Sequence, residues 1–370
     1  MVDESPLVES PLAGDEVLVE RRGALGRLTL NRPRAINALN HSMVRTLATA
    51  LDAWRVDDSV RTVLLSGAGD RGLCAGGDIV AIYTAVLAGR DDAVRFWADE
   101  YALDAAIARY PKPYVALMDG LVLGGGIGLS AHGGIRIVTE RTRIGMPEVS
   151  IGFFPDVGGT YLLSHAPGEL GTHLGLTGGT ASGADAIAIG LADHFVPSER
   201  LAELATALET RDADEVIAEL AVTPPASELL AKRAWIDELY AGDDAQVILE
   251  RLAASAEPAA QEAAATIGAK SPTSVALTLA ALRRAAALPS LEAALDQDFR
   301  VATRISRGTE VIEGIRAQVI DKDRTPHWSP ATLAEVTADA VEQYFAPLDH
   351  DERGGAELGL AVPSIRGRES

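Results

Sequence analysis

The chain has 370 residues, 47% of them hydrophobic, which is enough for a sizeable core and excludes wholesale disorder. Its 33 basic and 53 acidic side chains leave a formal net charge of −20, which argues against nucleic acid or an anionic membrane surface as the main partner, since both need a basic patch. An anionic small ligand stays open, because a few local Arg or Lys residues outweigh the global charge at short range.

Residues 1–14 are acidic and proline-broken and are expected to form a disordered leader, unlike the basic start and apolar stretch of a signal peptide. No apolar run reaches the length of a bilayer span, and the single cysteine, Cys74, permits no intrachain disulfide, so a cytoplasmic location is expected. From Glu16, VLVERRG and LGRLTLNRP predict two strands joined by a turn. Apolar residues then recur at helical spacing from Asn40 to Asp52. TVLLSGAG is a β-rich run ended by glycines, and DAVRFWADEYALDAAIARY predicts a helix stopped by Pro111 and Pro113. YVALMDG and IRIVTE are two further buried strands, separated by GLVLGGGIGLSAHGG. Continuous apolar strands alternating with helices predict an α/β core over residues 15–200. Ala-, Leu- and Glu-rich helices are expected over 201–348, interrupted at TPPAS, EPAAQ and KSPTS, and 349–370 is expected to be a flexible tail.

Two glycine clusters follow strands. The GGG at 124–126 reads as a tight turn, as dinucleotide binding, or as an oxyanion hole. For dinucleotide binding, Gly126, Gly128 and Ala131 fit G-x-G-x-x-A, with Glu148 20 residues past Gly128; IRIVTE, however, already ends at Glu140, so Glu148 falls after another turn. For an oxyanion hole, the amides at the start of a helix near Ile127 hold a developing negative oxygen. The second cluster, Gly72 to Gly77 with Asp78, also lies between a strand and a helix, and acyl chemistry needs two such donors. Ser130 lacks the final glycine of a nucleophile elbow and sits inside an apolar helix pattern, so it is read as structural, as is Cys74. Seven scattered histidines and no H-E-x-x-H give no metal site. Catalysis would fall to carboxylates. In MPEVSIGFFPDVGG, residues 146–159, Glu148 and Asp156 are the only charges, placed either at exposed loop tips or in a pocket with perturbed acid–base behaviour.

The ordered blocks NRPRAINALN, LCAGGDI, KPYVALMDGLVLGGGIGLS, MPEVSIGFFPDVGG and LTGGTASGADAIAIGLADHFV resemble the crotonase (enoyl-CoA hydratase/isomerase) superfamily. Within it the chain looks like the 3-hydroxyisobutyryl-CoA hydrolase branch, with SPTSVALTLAALRR, SLEAALDQDFR, EGIRAQVIDKDRTPHW and TLAEVTADAVEQYF extending the likeness to about Phe345. The resemblance implies a crotonase-like ββα spiral core with a helical C-terminal region. It implies that Gly77 and Gly125 donate their N–H groups to the thioester oxygen, and that Arg34, Ala35, Ala75 and Gly76 line the coenzyme A path. Glu148 would be the catalytic glutamate, Asp156 the second acid of the hydrolase branch, and Glu100 a contact to the hydroxyacyl end.

One departure from the hydratase pattern is informative: hydratases carry a second glutamate where this chain has Gly128, and usually a glycine where it has Asp156. The resemblance therefore implies hydrolysis of a short hydroxyacyl-CoA, foremost 3-hydroxyisobutyryl-CoA in valine catabolism, with no cofactor beyond the coenzyme A of the substrate. The alternatives are an enoyl-CoA hydratase or isomerase for another acyl-CoA, a nicotinamide-dependent dehydrogenase resting on the glycine match alone, and a chain that binds acyl-CoA or a protein without turnover. Crotonases commonly form trimers or pairs of trimers, so a homo-oligomer is one expectation.

Overall fold

In the computed structural model, which describes residues 15–349 and 356–361, the predicted strands close into two sheets. The leader at 1–14 and most of the tail lie outside the described residues. The larger sheet has the order β1 (Val17–Arg22), β2 (Leu25–Leu30), β3 (Thr62–Gly67), β5 (Tyr114–Met118), β7 (Ile135–Val138), β10 (His194–Phe195). The smaller sheet has the order β4 (Gly72–Cys74), β6 (Leu121–Leu123), β8 (Arg143–Gly145), β9 (Thr180–Ser182). β1 and β2 form the expected hairpin, with Val17 opposite Leu30, and the other pairs of the larger sheet are parallel. Every residue of β5 is buried, as parallel strands covered on both faces require.

Both sheets belong to one of two compact units, which takes in the residues up to Asp78, Ala106–Met146 and Gly179–Ala234. Its helices Leu201–Ala207 and Ala213–Leu220 bury Leu204, Val216, Ile217 and Leu220 in one cluster with Leu25, Leu64, Val115 and Ile137 of the larger sheet. The other unit comprises Ile79–Ala105, Pro147–Gly178 and the residues from Trp235 onward, and among the described residues it has helices and no strand. Neither unit is contiguous in sequence. The division expected after residue 200 marks where the composition changes, whereas the compact units part elsewhere.

The helices are interrupted at EPAAQ and KSPTS as expected, and in each a proline starts the next helix. Pro258 opens Pro258–Gly268, and Pro272 opens Pro272–Ala285 behind Ser271, whose side chain accepts from the Ser274 amide. Proline suits that first position because its missing N–H has no intrahelical partner there. Where a loose tail was expected, residues 356–361 are tied down. Glu357 accepts from Arg300 Nε and the Leu348 amide, both at 2.8 Å, and Asp296 accepts from the amides of Leu360 at 2.8 Å and Ala361 at 3.0 Å. No helix among the described residues is long and apolar enough to cross a membrane.

Candidate active site

The strand-bearing unit sets out the glycine loops. Arg34 and Ala35 are exposed on the short 3-10 helix Pro33–Ala35, followed by Ile36 and Asn37, both in the left-handed region at φ 47° and 55°. From this turn the chain runs beside the second loop. The Ala75 amide donates to Ile36 O at 2.9 Å, the Leu39 amide to Gly76 O at 2.8 Å, and the Asp78 amide to Leu39 O at 2.7 Å. Arg34, Ala35, Ala75, Gly76 and Gly77 are thus gathered along one pair of loops. Gly76 sits at φ +94°, which an L side chain rarely adopts.

Gly125 is the first residue of the helix Gly125–Ala131, so its N–H has no acceptor within that helix. The next residue, Gly126, packs on the cysteine: an added Cβ would lie 2.8 Å from Cys74 Cβ and 2.9 Å from Cys74 O. Its glycine is therefore required by close packing, which removes the need for a dinucleotide to explain it. Cys74 is fully buried and donates through Sγ to Asn37 O at 3.3 Å, and Ser130 Oγ donates to Gly126 O at 2.6 Å, so both are structural.

Sequence reasoning passed over Asn37. Its buried side chain donates to the carbonyls of Ala68, Gly72 and Leu73, each at 3.1 Å, and accepts from the Arg32 amide at 3.0 Å. The signal was a lone amide inside the apolar run AINAL, at a residue type that tolerates left-handed backbone.

The helical unit gathers the carboxyls. Glu148 opens the 3-10 helix Glu148–Ile151 behind Pro147, and Asp156 begins a turn closed by the Gly159 amide on Asp156 O at 2.6 Å. With 8% and 5% of their surfaces exposed, these acids are buried and not at exposed loop tips. Glu100 lies on the helix Asp92–Ala108, is 2% exposed, and shares that helix with Tyr101 and Asp104, both fully buried. Asp298, on Leu291–Ile305, is fully buried as well. The structure therefore brings Glu100, Glu148 and Asp156 into one cluster. It adds Tyr101, Asp104 and Asp298, which their helical sequence contexts disguised.

Within the cluster Tyr101 donates its hydroxyl to Asp156 Oδ2 at 2.7 Å. Glu100 Oε1, Glu148 Oε2 and both carboxyl oxygens of Asp104 have no hydrogen-bond partner. Burial of these side chains disfavours ionisation. Burial foremost, and then the Asp156 charge, push Glu148 well above the usual carboxylate range. Glu100 rises by burial and by the charges of Asp156, Asp104 and Glu148, and Asp104 and Asp298 rise by burial with Asp156 adding to each. Asp156 is raised to about 7, burial outweighing the Tyr101 bond that favours its ionised form. Carboxyls coupled in this way do not all ionise together, so the cluster can hold a carboxylate and a carboxylic acid side by side. That is the equipment of a base or nucleophile with an acid at hand. Among the described residues no group of three or more His, Cys, Asp or Glu side chains is arranged to hold a metal ion.

Residues 25–345 match the family model described as enoyl-CoA hydratase/isomerase. The chain is 39% identical over 351 residues to the mitochondrial 3-hydroxyisobutyryl-CoA hydrolase of Danio rerio, covering 92% of each protein. Among solved structures, it is similar to a carnitinyl-CoA dehydratase from Mycobacterium thermoresistibile, at 55% identity and a TM-score of 0.88 over 90% of this chain and 97% of that one. It is also similar to an enoyl-CoA hydratase from Rhodobacter sphaeroides 2.4.1, at 40% identity and a TM-score of 0.86 over 90% of this chain and 98% of that one.

Proposed function

The chain belongs to the enoyl-CoA hydratase/isomerase family, and on that footing we propose that it hydrolyses a short hydroxyacyl-CoA thioester, foremost 3-hydroxyisobutyryl-CoA in valine degradation. The observation that carries this is the buried pair Glu148 and Asp156, in which Asp156 titrates at about 7. Hydration of a double bond instead asks for two carboxylates around one water, and the residue at the second position is the buried Gly128. The relative named as a hydrolase supports the same choice. The 55%-identical carnitinyl-CoA dehydratase from Mycobacterium thermoresistibile favours the rival, a hydratase or dehydratase of another acyl-CoA.

In the reaction, the Gly77 and Gly125 N–H groups receive the thioester carbonyl oxygen and stabilise the charge that grows on it. One such donor is worth about 3–4 kcal/mol. In the protonation state in which Asp156 holds the shared proton, the Glu148 carboxylate attacks the carbonyl carbon to form a mixed anhydride that water then opens, or it takes a proton from the attacking water. The carbon–sulfur bond breaks, the thiolate is protonated, and Asp156 carries the proton between water and leaving group. Glu100 meets the hydroxyl end of the acyl group, while Arg34, Ala35, Ala75 and Gly76 line the coenzyme A path. Water is the only co-reactant, so the reaction needs no cofactor beyond the coenzyme A of the substrate.

We place the reaction in the cytoplasm, because a single cysteine suits a reducing compartment, although the Danio rerio relative is named as mitochondrial. Free-thiol release from 3-hydroxyisobutyryl-CoA tests the assignment. Glu148→Gln and Asp156→Asn should each lower kcat about 10²-fold or more, as loss of an acid–base group does. Full turnover by both variants would overturn it.

A further inference from the structure

The hydrolysis scheme leaves Asp298 without a role. It is fully buried on the helix Leu291–Ile305, and a buried carboxyl is costly unless its oxygens are used. Both bind the segment that follows Asp156. Oδ2 accepts from the Gly158 amide at 2.9 Å, and Oδ1 accepts from Thr160 Oγ1 at 3.1 Å. Between Asp156 and Gly158 stands Val157, at φ +52°. A β-branched residue in left-handed backbone is strained by about 1–3 kcal/mol and persists only where its surroundings over-determine it. Val157 is also buried, so the strain sits in a packed site. The neighbour of Asp298, Phe299, meets the Tyr101 ring edge-on, with centroids 6.4 Å apart, and Tyr101 is the residue that donates to Asp156. One helix therefore braces both the backbone that carries Asp156 and the phenol that orients its carboxylate.

We propose that Asp298 is a positioning residue for Asp156: its carboxyl clamps the strained turn at Val157, so that the Asp156 carboxylate is aimed at Tyr101 and at the reacting thioester. The effect on rate rests on the hydrolase reading above, and the geometric effect does not. Without the clamp, Val157 relaxes out of the left-handed region, the turn reopens, and Asp156 swings away from Tyr101. Misplacing a reacting group by about 1 Å can cost on the order of 10²-fold in rate, even when substrate binding is untouched.

The test combines crystal structures with steady-state kinetics for wild type, Asp298→Ala, Asp298→Asn and the double variant Asp298→Ala/Val157→Gly. Asp298→Ala should lose the Tyr101–Asp156 hydrogen bond and about 10²-fold in kcat, with KM within about twofold, a split that general destabilisation does not produce. Asp298→Asn keeps an acceptor for the Gly158 amide and should retain the bond and a kcat within about tenfold of wild type. The double variant has no strain left to hold, because glycine adopts that φ freely, and should recover both the bond and most of the rate. It also decides the matter if Asp298→Ala alone fails to fold. A Tyr101–Asp156 bond intact in Asp298→Ala, or a double variant no better folded and no more active than Asp298→Ala, would overturn the clamp. Wild-type protein that releases no thiol would overturn the hydrolase reading, and the Tyr101–Asp156 bond in the variants would still decide the clamp.

Discussion

Asp156 carries its cost in stability as well as its use. In the unfolded chain it titrates as an ordinary aspartate, and in the fold its pKa is about 7. The fold therefore binds the extra proton, and this residue's contribution to stability falls as pH rises from about 4 to about 7. Asparagine abolishes that dependence while still accepting from Tyr101. Asp156→Asn should match wild type in thermal midpoint near pH 4 and exceed it at pH 8, by about 1–4 kcal/mol in unfolding free energy. Calorimetry at the two pH values checks this, and a variant less stable than wild type at both would mark Asp156 as structural. Glu148 and Asp156 were legible in sequence because no other charge surrounds them in MPEVSIGFFPDVGG. Tyr101, Asp104 and Asp298 were not, since a polar residue in a helical pattern reads as a solvated face until the neighbouring helices are placed.

The turn at 33–39 shows how a short element serves a distant loop. Ala75 and Gly76 are hydrogen-bonded to it, and Asn37 holds it in place through three carbonyls and one amide. Asn37→Ala leaves those buried groups without a partner and should cost roughly 2–4 kcal/mol, read as a lower denaturant midpoint at unchanged m-value. A loss below about 0.5 kcal/mol would mean that water replaces the amide fully. The strands themselves were plain in the sequence. VLVERRG, TVLLSGAG and YVALMDG are apolar runs bounded by turn residues, and that pattern survives any tertiary context. The helix interruptions at EPAAQ and KSPTS were legible too, because Pro258 and Pro272 cannot continue a preceding helix and suit the first position of the next. The compact units were out of reach altogether. Which helix joins which unit depends on contacts between segments far apart in sequence, such as the burial of Ile217 in one cluster with Leu64 and Val115.

For the whole molecule, two sets of acids pull the pH optimum of stability in opposite directions. Glu100, Asp104, Glu148, Asp156 and Asp298 have raised values, so their contribution is lost as pH climbs above the ordinary carboxylate range. Asp185 and Asp193 have lowered values through hydrogen bonds, from the Leu229 amide and Arg136 respectively, overcoming burial. Their contribution is present above the ordinary range and disappears as pH falls through their folded values. The thermal midpoint should therefore peak at about pH 4–6 and decline toward pH 8; a peak at pH 8 would contradict shared protons in the buried cluster. The central claim is that this cluster performs hydrolysis, and it is tested most directly by comparing two rates on one preparation: thiol release from 3-hydroxyisobutyryl-CoA and hydration of crotonyl-CoA. Thiol release with little hydration is the predicted result. Hydration without thiol release would contradict it, and would mean that an acid other than one at position 128 completes a hydratase site.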